Sequence, residues 1–257
     1  MDNYIKMVKL WQKWNVQTKS DVDIRLQNFY ILFAYHSGKM ENSEVYYHDT
    51  REIFKERRVS GYTGNPGALF EIQNQKLCYE YIKPKLQEKE PISIKLVKNV
   101  HAVMTGGVYD EQRYIMHGER PGEFKKNDYV TTLTEVGSPP EDVVHDMIKL
   151  LDDITKFEYR GILKVGAYFH ARFEHIHPFA KGNGRVGRML LNYFLMIYNH
   201  PPLIIHEEDK HDYLRALECY DRMRDVEPMH VFLKEQIEKT WEKALAREDK
   251  RNHAMSR

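Results

Sequence analysis

Residues 177–188 read HPFAKGNGRVGR and combine a proton acceptor with the parts of an anion cradle. Gly182 and Gly184 flank Asn183, so the backbone can turn tightly and bring amide hydrogens close to a ligand. An apolar helical pattern begins directly afterwards, and a glycine-rich turn feeding a helix N-terminus favours negative charge through open amides and the helix dipole. Arg185 and Arg188 lie one helical turn apart, which lets both guanidiniums project to one side. Their planar forks suit phosphate oxygens better than a lysine point charge does. His177 precedes the cradle and carries the side chain best suited to accept a proton near neutral pH. Together these residues predict transfer of a phosphorus-containing group to a hydroxyl. Taken singly, the histidine, the GNG turn and the paired arginines are ordinary structural features. Seven specified positions, at about 5% each, do not coincide through composition.

Other residues invite weaker readings. His170, His175 and His177 stand close together, but their spacing matches no H-E-x-x-H pair and no acidic partner is obvious, so no metal site is assigned. Packing and orientation are the expected roles of His170 and His175. Tyr213, Leu217 and Tyr220 share one face of a later helix, where apolar core is the default.

The elements that must position these groups are mostly helical in periodicity. Residues 21–39 place Ile24, Phe29, Leu32 and Phe33 on one face, with Ser20 or Asp21 as caps. Further helices are expected over 43–58, 68–82 (stopping ahead of Pro84) and 91–104. Residues 107–132 break the pattern with Gly118, Pro121 and Gly122 before the β-favouring YVTTLT, so a short hairpin flap is expected there. Helices then follow over 141–157, 161–174, 186–198, 209–223 and 229–246, with a charged, frayed tail. The reading is mainly α: one helical unit divided into 1–90, 91–205 and 206–257.

Lys plus Arg total 39 against 38 acidic residues in 257, which leaves no global field to gather nucleic acid or an anionic membrane. Hydrophobic residues at 42% suit a globular core. No stretch approaches the ~20 apolar residues of a membrane span. Cys78 and Cys219 are far apart and read as reduced thiols, so a soluble, cytoplasmic protein is expected.

The motif resembles the signature H-x-F-x-(D/E)-G-N-G-R-x-x-R of Fic proteins, supplied here by His177, Phe179, Gly182, Asn183, Gly184, Arg185 and Arg188. The resemblance extends over the helical pattern from about 21 to 200. It implies a single Fic-fold helical domain that moves AMP from ATP to a Ser, Thr or Tyr hydroxyl of a protein, itself included, releasing pyrophosphate. By that resemblance His177 deprotonates the hydroxyl, Phe179 anchors the loop, and Asn183 with adjacent amides holds the α-phosphate. Arg185 would grip the β-phosphate and Arg188 the γ-phosphate, with Tyr213 near the adenine. The flap, 118–130, would pin the protein target by main-chain pairing. A homo-oligomer is compatible with the pattern.

Lys181 stands where the family carries the acid that holds magnesium, and an ammonium is no ligand for Mg²⁺. A carboxylate plus Mg²⁺ carries net +1, as does one lysine, so Lys181 is expected to contact the phosphates. Any Mg²⁺ would arrive with ATP. The alternatives are transfer of another phosphate-linked group, or a weak nucleotide-binding scaffold. Finally, SGKMEN (37–42) resembles the family's inhibitory S/T-x-x-x-E-G/N, with Ser37, Glu41 and Asn42 in register. The resemblance implies that Glu41 pairs with Arg188 and blocks productive ATP binding.

Overall fold

Capping chemistry sets where the first helices begin. The computed structural model describes residues 2–16, 18–56, 62, 64–129, 137–156 and 161–255. Helix α1 (Asn3–Trp14) starts at Asp2, whose side chain accepts from the Tyr4 N–H. Helix α2 (Lys19–Lys39) opens on a capping box in which the Thr18 hydroxyl accepts from the Asp21 N–H and the Asp21 carboxylate accepts from the Thr18 N–H. The cap is therefore Thr18, in extended backbone, and not Ser20 or Asp21, which lie in the first turn. Phe29 and Phe33 are buried as expected, but Ile24 is 75% exposed and Leu32 38%. The buried stripe runs instead through Val22, Leu26, Phe29, Tyr30 and Phe33, the spacing that faces α4 (Pro66–Glu88) and α8 (Asn183–Ile197).

Helix α3 (Tyr47–Glu56) is shorter than the expected 43–58, of which 57 and 58 lie outside the described residues. Helix α4 does not stop ahead of Pro84 but carries it internally. A proline there removes one helical hydrogen bond. Burial of Ile82 and Leu86 on either side offsets that loss, and the Tyr193 hydroxyl reaches the carbonyls of Glu90 (2.6 Å) and Lys85 (3.3 Å) just beyond. Helix α5 (Ile94–Thr105) is capped by Ser93 and ends at Gly106.

The segment after α5 departs most from expectation. A π-helical turn spans Gln112–Met116, and 118–129 form turns and bends with no strand among the described residues. Its organiser is Glu119, 1% exposed, whose carboxylate accepts from the Lys126 N–H (2.9 Å), the Asn127 amide (3.0 Å) and the Tyr129 hydroxyl (3.0 Å). A buried carboxylate with three donors holds the loop by side-chain bonds in place of a ladder. Val130 and most of YVTTLT lie outside the described residues.

Helices α6 (Val143–Thr155), α7 (Ile162–Ile176), α8, α9 (Lys210–Met223) and α10 (Glu227–Met255) complete the order, with a 3-10 turn at Glu207–Asp209. The charged tail continues α10 as far as Met255. Helices α7 and α8 pack side by side at the centre, with α4 and α5 on the α8 side and α6, α9 and α10 on the α7 side. Helix α1 lies against α10, where Trp11, Trp14 and Trp241 cluster. Cys78 and Cys219 are free, and no helix among the described residues is long and apolar enough to cross a membrane.

Candidate active site

The turn between α7 and α8 is held from outside by its carbonyls. Ile176 O accepts from the Ser138 N–H (3.0 Å), Pro178 O from the Lys125 N–H (2.9 Å), and Ala180 O from Arg113 Nε (3.3 Å). Lys181 O meets His101 Nε2 at 3.0 Å. The Asn183 side chain bonds the turn to itself, its Oδ1 accepting from the Phe179 N–H (2.9 Å) and its Nδ2 donating to Phe179 O (2.7 Å). Phe179 is fully buried and stacks on His101 at 3.7 Å between centroids. Gly182 sits at φ +88°, where a Cβ would come within 2.7 Å of Thr105 Cγ2, so only glycine fits this turn. With six residues pinned this way, the first amides of α8 have a fixed direction, as an anion site requires.

His177 caps α7 in left-handed backbone (φ 50°). The Glu174 carbonyl acts on the ring so as to raise its pKa, though more weakly than burial lowers it. Burial, reinforced by the Lys125 charge and opposed by Glu41, pushes its pKa down to about 4. The imidazole is therefore neutral near pH 7, the form a general base needs.

Both motif arginines are 2% exposed, and each meets a carboxylate. Arg188 donates from Nε to the Ser37 hydroxyl (2.9 Å) and from Nη2 to Ser37 O (3.0 Å) and Glu41 Oε1 (2.7 Å). Burial alone would raise the Glu41 pKa, but the Arg188 guanidinium, with Arg185 and Lys210, holds it below the usual carboxylate range. Arg185 Nη1 lies 3.2 Å from Glu71 Oε1 on α4, and the other oxygen of Glu71 accepts from Asn42 Nδ2 at 3.0 Å. Yet Arg185 Nε and Nη1 have no well-formed hydrogen bond among the described residues.

Lys181 is half-buried, and its ammonium reaches Val108 O at 3.3 Å. Burial lowers its pKa, against the pull of Glu71. Tyr213, on α9, is buried and lies 2.9 Å from His170 Nε2 through its hydroxyl. His175 pairs with Asp221 at 2.8 Å. A cavity of about 530 Å³ opens between this face of α9 and the turn, lined by Glu41, His177, Gly184, Arg188, Tyr213 and Leu217 among others. That volume suits a nucleotide-sized ligand.

The predicted residues Ser37, Glu41, His177, Gly184, Arg188 and Tyr213 thus converge on one place. Asn42 is brought to Arg185 rather than to Arg188, through Glu71. Glu71, His101 and Glu119 escaped the sequence reading. No local pattern singles them out, because their partners lie on other elements.

A buried turn with an imidazole, two arginines and a helix N-terminus on this helical scaffold defines the class. Residues 91–195 match the model of the Fic/DOC family, so the chain carries a Fic/DOC domain. Among curated relatives, it is 30% identical over 215 residues to "Protein adenylyltransferase Fic" of Drosophila willistoni, covering 82% of this chain and 41% of that protein. The Drosophila melanogaster protein of the same description is 28% identical over the same length and shares. The chain therefore spans about two fifths of the length of these relatives. A Fic domain containing signaling protein from Bacteroides thetaiotaomicron superposes with a TM-score of 0.80 at 24% identity, covering 93% of both chains. Fic-1 from C. elegans gives 0.79 at 20%, covering 96% of this chain and 72% of that one. These likenesses establish the Fic fold.

Proposed function

We propose that the chain is a protein adenylyltransferase that moves AMP from ATP to a hydroxyl of a protein target. The observation that carries this reading is Arg185. A guanidinium 2% exposed, with two nitrogens lacking a hydrogen-bond partner among the described residues, stands at the N-terminus of α8. Buried donors without partners are costly, and phosphate oxygens would satisfy them. The description shared by the Drosophila relatives supports the same activity.

In the reaction, the unprotonated ring nitrogen of His177 takes the proton of the target hydroxyl. The hydroxyl oxygen bonds to the α-phosphorus, the bond from that phosphorus to its bridging oxygen breaks, and pyrophosphate leaves with the electron pair. The α8 amides, with the Asn183 backbone among them, face the charge growing on the α-phosphate. Arg185 holds the β-phosphate and Arg188 the γ-phosphate once Glu41 is displaced. Tyr213 and Leu217 flank the base, and 118–130 hold the target. Residues 1–90 supply the brake, 91–205 the transfer machinery and 206–257 the wall behind the adenine.

The donor set does not fit a protein-held divalent cation. Position 181 offers an ammonium, and no group of three His, Cys, Asp or Glu side chains suited to a metal occurs among the described residues. Lys181 instead supplies positive charge to the phosphates from the protein side.

Intact mass after incubation with ATP tests the proposal. A gain of AMP that disappears in His177→Ala supports transfer. ATP binding without any gain, in the Glu41→Gly variant as well, would favour the scaffold reading that Lys181 raises.

A further inference from the structure

His101 occupies a position that the transfer reaction does not by itself require. It is fully buried in α5, yet it touches both the phosphate turn and the flap. Its ring stacks on Phe179 at 3.7 Å with planes 1° apart. Its Nδ1 accepts from the Gly122 N–H at 2.8 Å, and its Nε2 lies 3.0 Å from Lys181 O. A backbone N–H can only donate and a carbonyl can only accept, so the ring must be neutral with its proton on Nε2. Protonation would set two donors against each other at Gly122, and burial pushes the ring's pKa down to about 4, which keeps it neutral.

We propose that His101 is a positioning residue, a neutral imidazole rivet that sets the register of the flap against the phosphate turn. The inference rests on the transferase reading for its functional consequence. The rivet has two separable halves. The Nε2 side and the stacked ring hold the turn that would grip the nucleotide. The Nδ1 side holds Gly122, between the Gly118 and Tyr129 ends of the flap. Losing the Nδ1 side should release the flap, misplacing the target hydroxyl relative to His177 while leaving the phosphate grip in place. A residue that only filled core would affect both together.

Two substitutions divide the halves. Glutamine can place an amide N–H near the Nε2 position but lacks the acceptor at Nδ1, and asparagine does the reverse. In His101→Gln, hydrogen exchange of flap peptides (118–129) should quicken about tenfold, while peptides of 176–190 keep their protection. The KM for the protein target should rise about fivefold to tenfold, the scale of one lost hydrogen bond, with the dissociation constant for a non-hydrolysable ATP analogue unchanged. In His101→Asn, flap protection should be retained and the analogue should bind more weakly. Should either variant fail to fold, nitrogen-15 NMR of the wild-type imidazole decides: a neutral ring with the proton on Nε2 at pH 7 supports the rivet, and a charged ring or an Nδ1 proton overturns it. Equal loss of flap protection and analogue binding in both variants would also overturn it. If neither the wild type nor Glu41→Gly transfers AMP, the transferase reading fails, while the exchange and NMR results still decide the role of His101.

Discussion

Glu41 and Arg188 meet at 2.7 Å across the mouth of the cavity, and the two differ sharply in exposure. The Arg188 side chain is 2% exposed and the Glu41 side chain 41%. Arg188 is anchored a second time by the hydroxyl and carbonyl of Ser37, so the carboxylate is the looser partner. A half-exposed carboxylate on a fixed guanidinium can leave without moving the arginine, which is what the proposed brake requires.

Removing that carboxylate should release the site. Glu41→Gly is expected to raise the initial rate of labelled AMP incorporation about tenfold, the effect of about 1.4 kcal/mol of lost competition for Arg188. Ser37 still holds the guanidinium, so the fold should survive. An unchanged rate would rule out Glu41 as the brake.

The second carboxylate, Glu71, is expected to behave differently because it is buried. Glu71→Gln leaves Arg185 charged without its counter-ion, and breaking such a pair costs about 3–5 kcal/mol. The melting temperature should fall in the free protein. Added ATP analogue supplies phosphate charge in its place, so the ligand-induced rise in melting temperature should exceed that of the wild type. Equal rises in the two proteins would argue against phosphate contact at Arg185.

His177 should titrate well below the ordinary 6.5, towards about 4. Lys125 lowers its pKa and Glu41 raises it. Lys125→Met should therefore move the titration up, and Glu41→Gly should move it down. Histidine deuterium exchange followed by mass spectrometry reads both shifts, and movement in the opposite direction would refute the electrostatic account.

Acid lability follows from the buried rings, of which three stand beside His177 in this respect. Burial lowers His101 and His200 to about 4 and His170 to about 3. Unfolded histidines titrate near 6.5, so between about 4 and 6.5 the unfolded chain binds more protons than the folded one. Their contribution is full above pH 6.5 and is lost as the pH falls towards 4. Glu174, pushed up to about 8 by burial, acts the other way, losing its contribution as the pH rises from 4.5 to 8. Stability should therefore peak near pH 6.5. A melting temperature that kept rising as the pH was lowered from 6.5 to 5 would contradict this balance.

The local chemistry was legible in the sequence wherever it depended on neighbours in the chain. The turn 177–188, its glycines, the following helix and the i, i+3 arginines follow from side-chain type and helical period. Ser37 and Glu41 were legible only through family resemblance, and the structure adds the ion pair at 2.7 Å. The flap differs from the expected hairpin over 118–129, where the buried Glu119 carboxylate collects the donors, while the β-favouring 130–134 lie outside the described residues. Pro84 misled because a local rule ends helices there, and the core packing of Ile82 and Leu86 overrides it.

By itself, then, the sequence determined a mainly helical protein with a glycine-rich turn, an imidazole and two arginines beside it, and an aberrant lysine. Tertiary structure alone decided which carboxylate each arginine meets, that Asn42 acts through Glu71, and that His101 joins flap to turn. It also decided the charge state of His177. The physical reason is common to all four: pairing and desolvation depend on distances between elements far apart in the chain, and no local period encodes those distances.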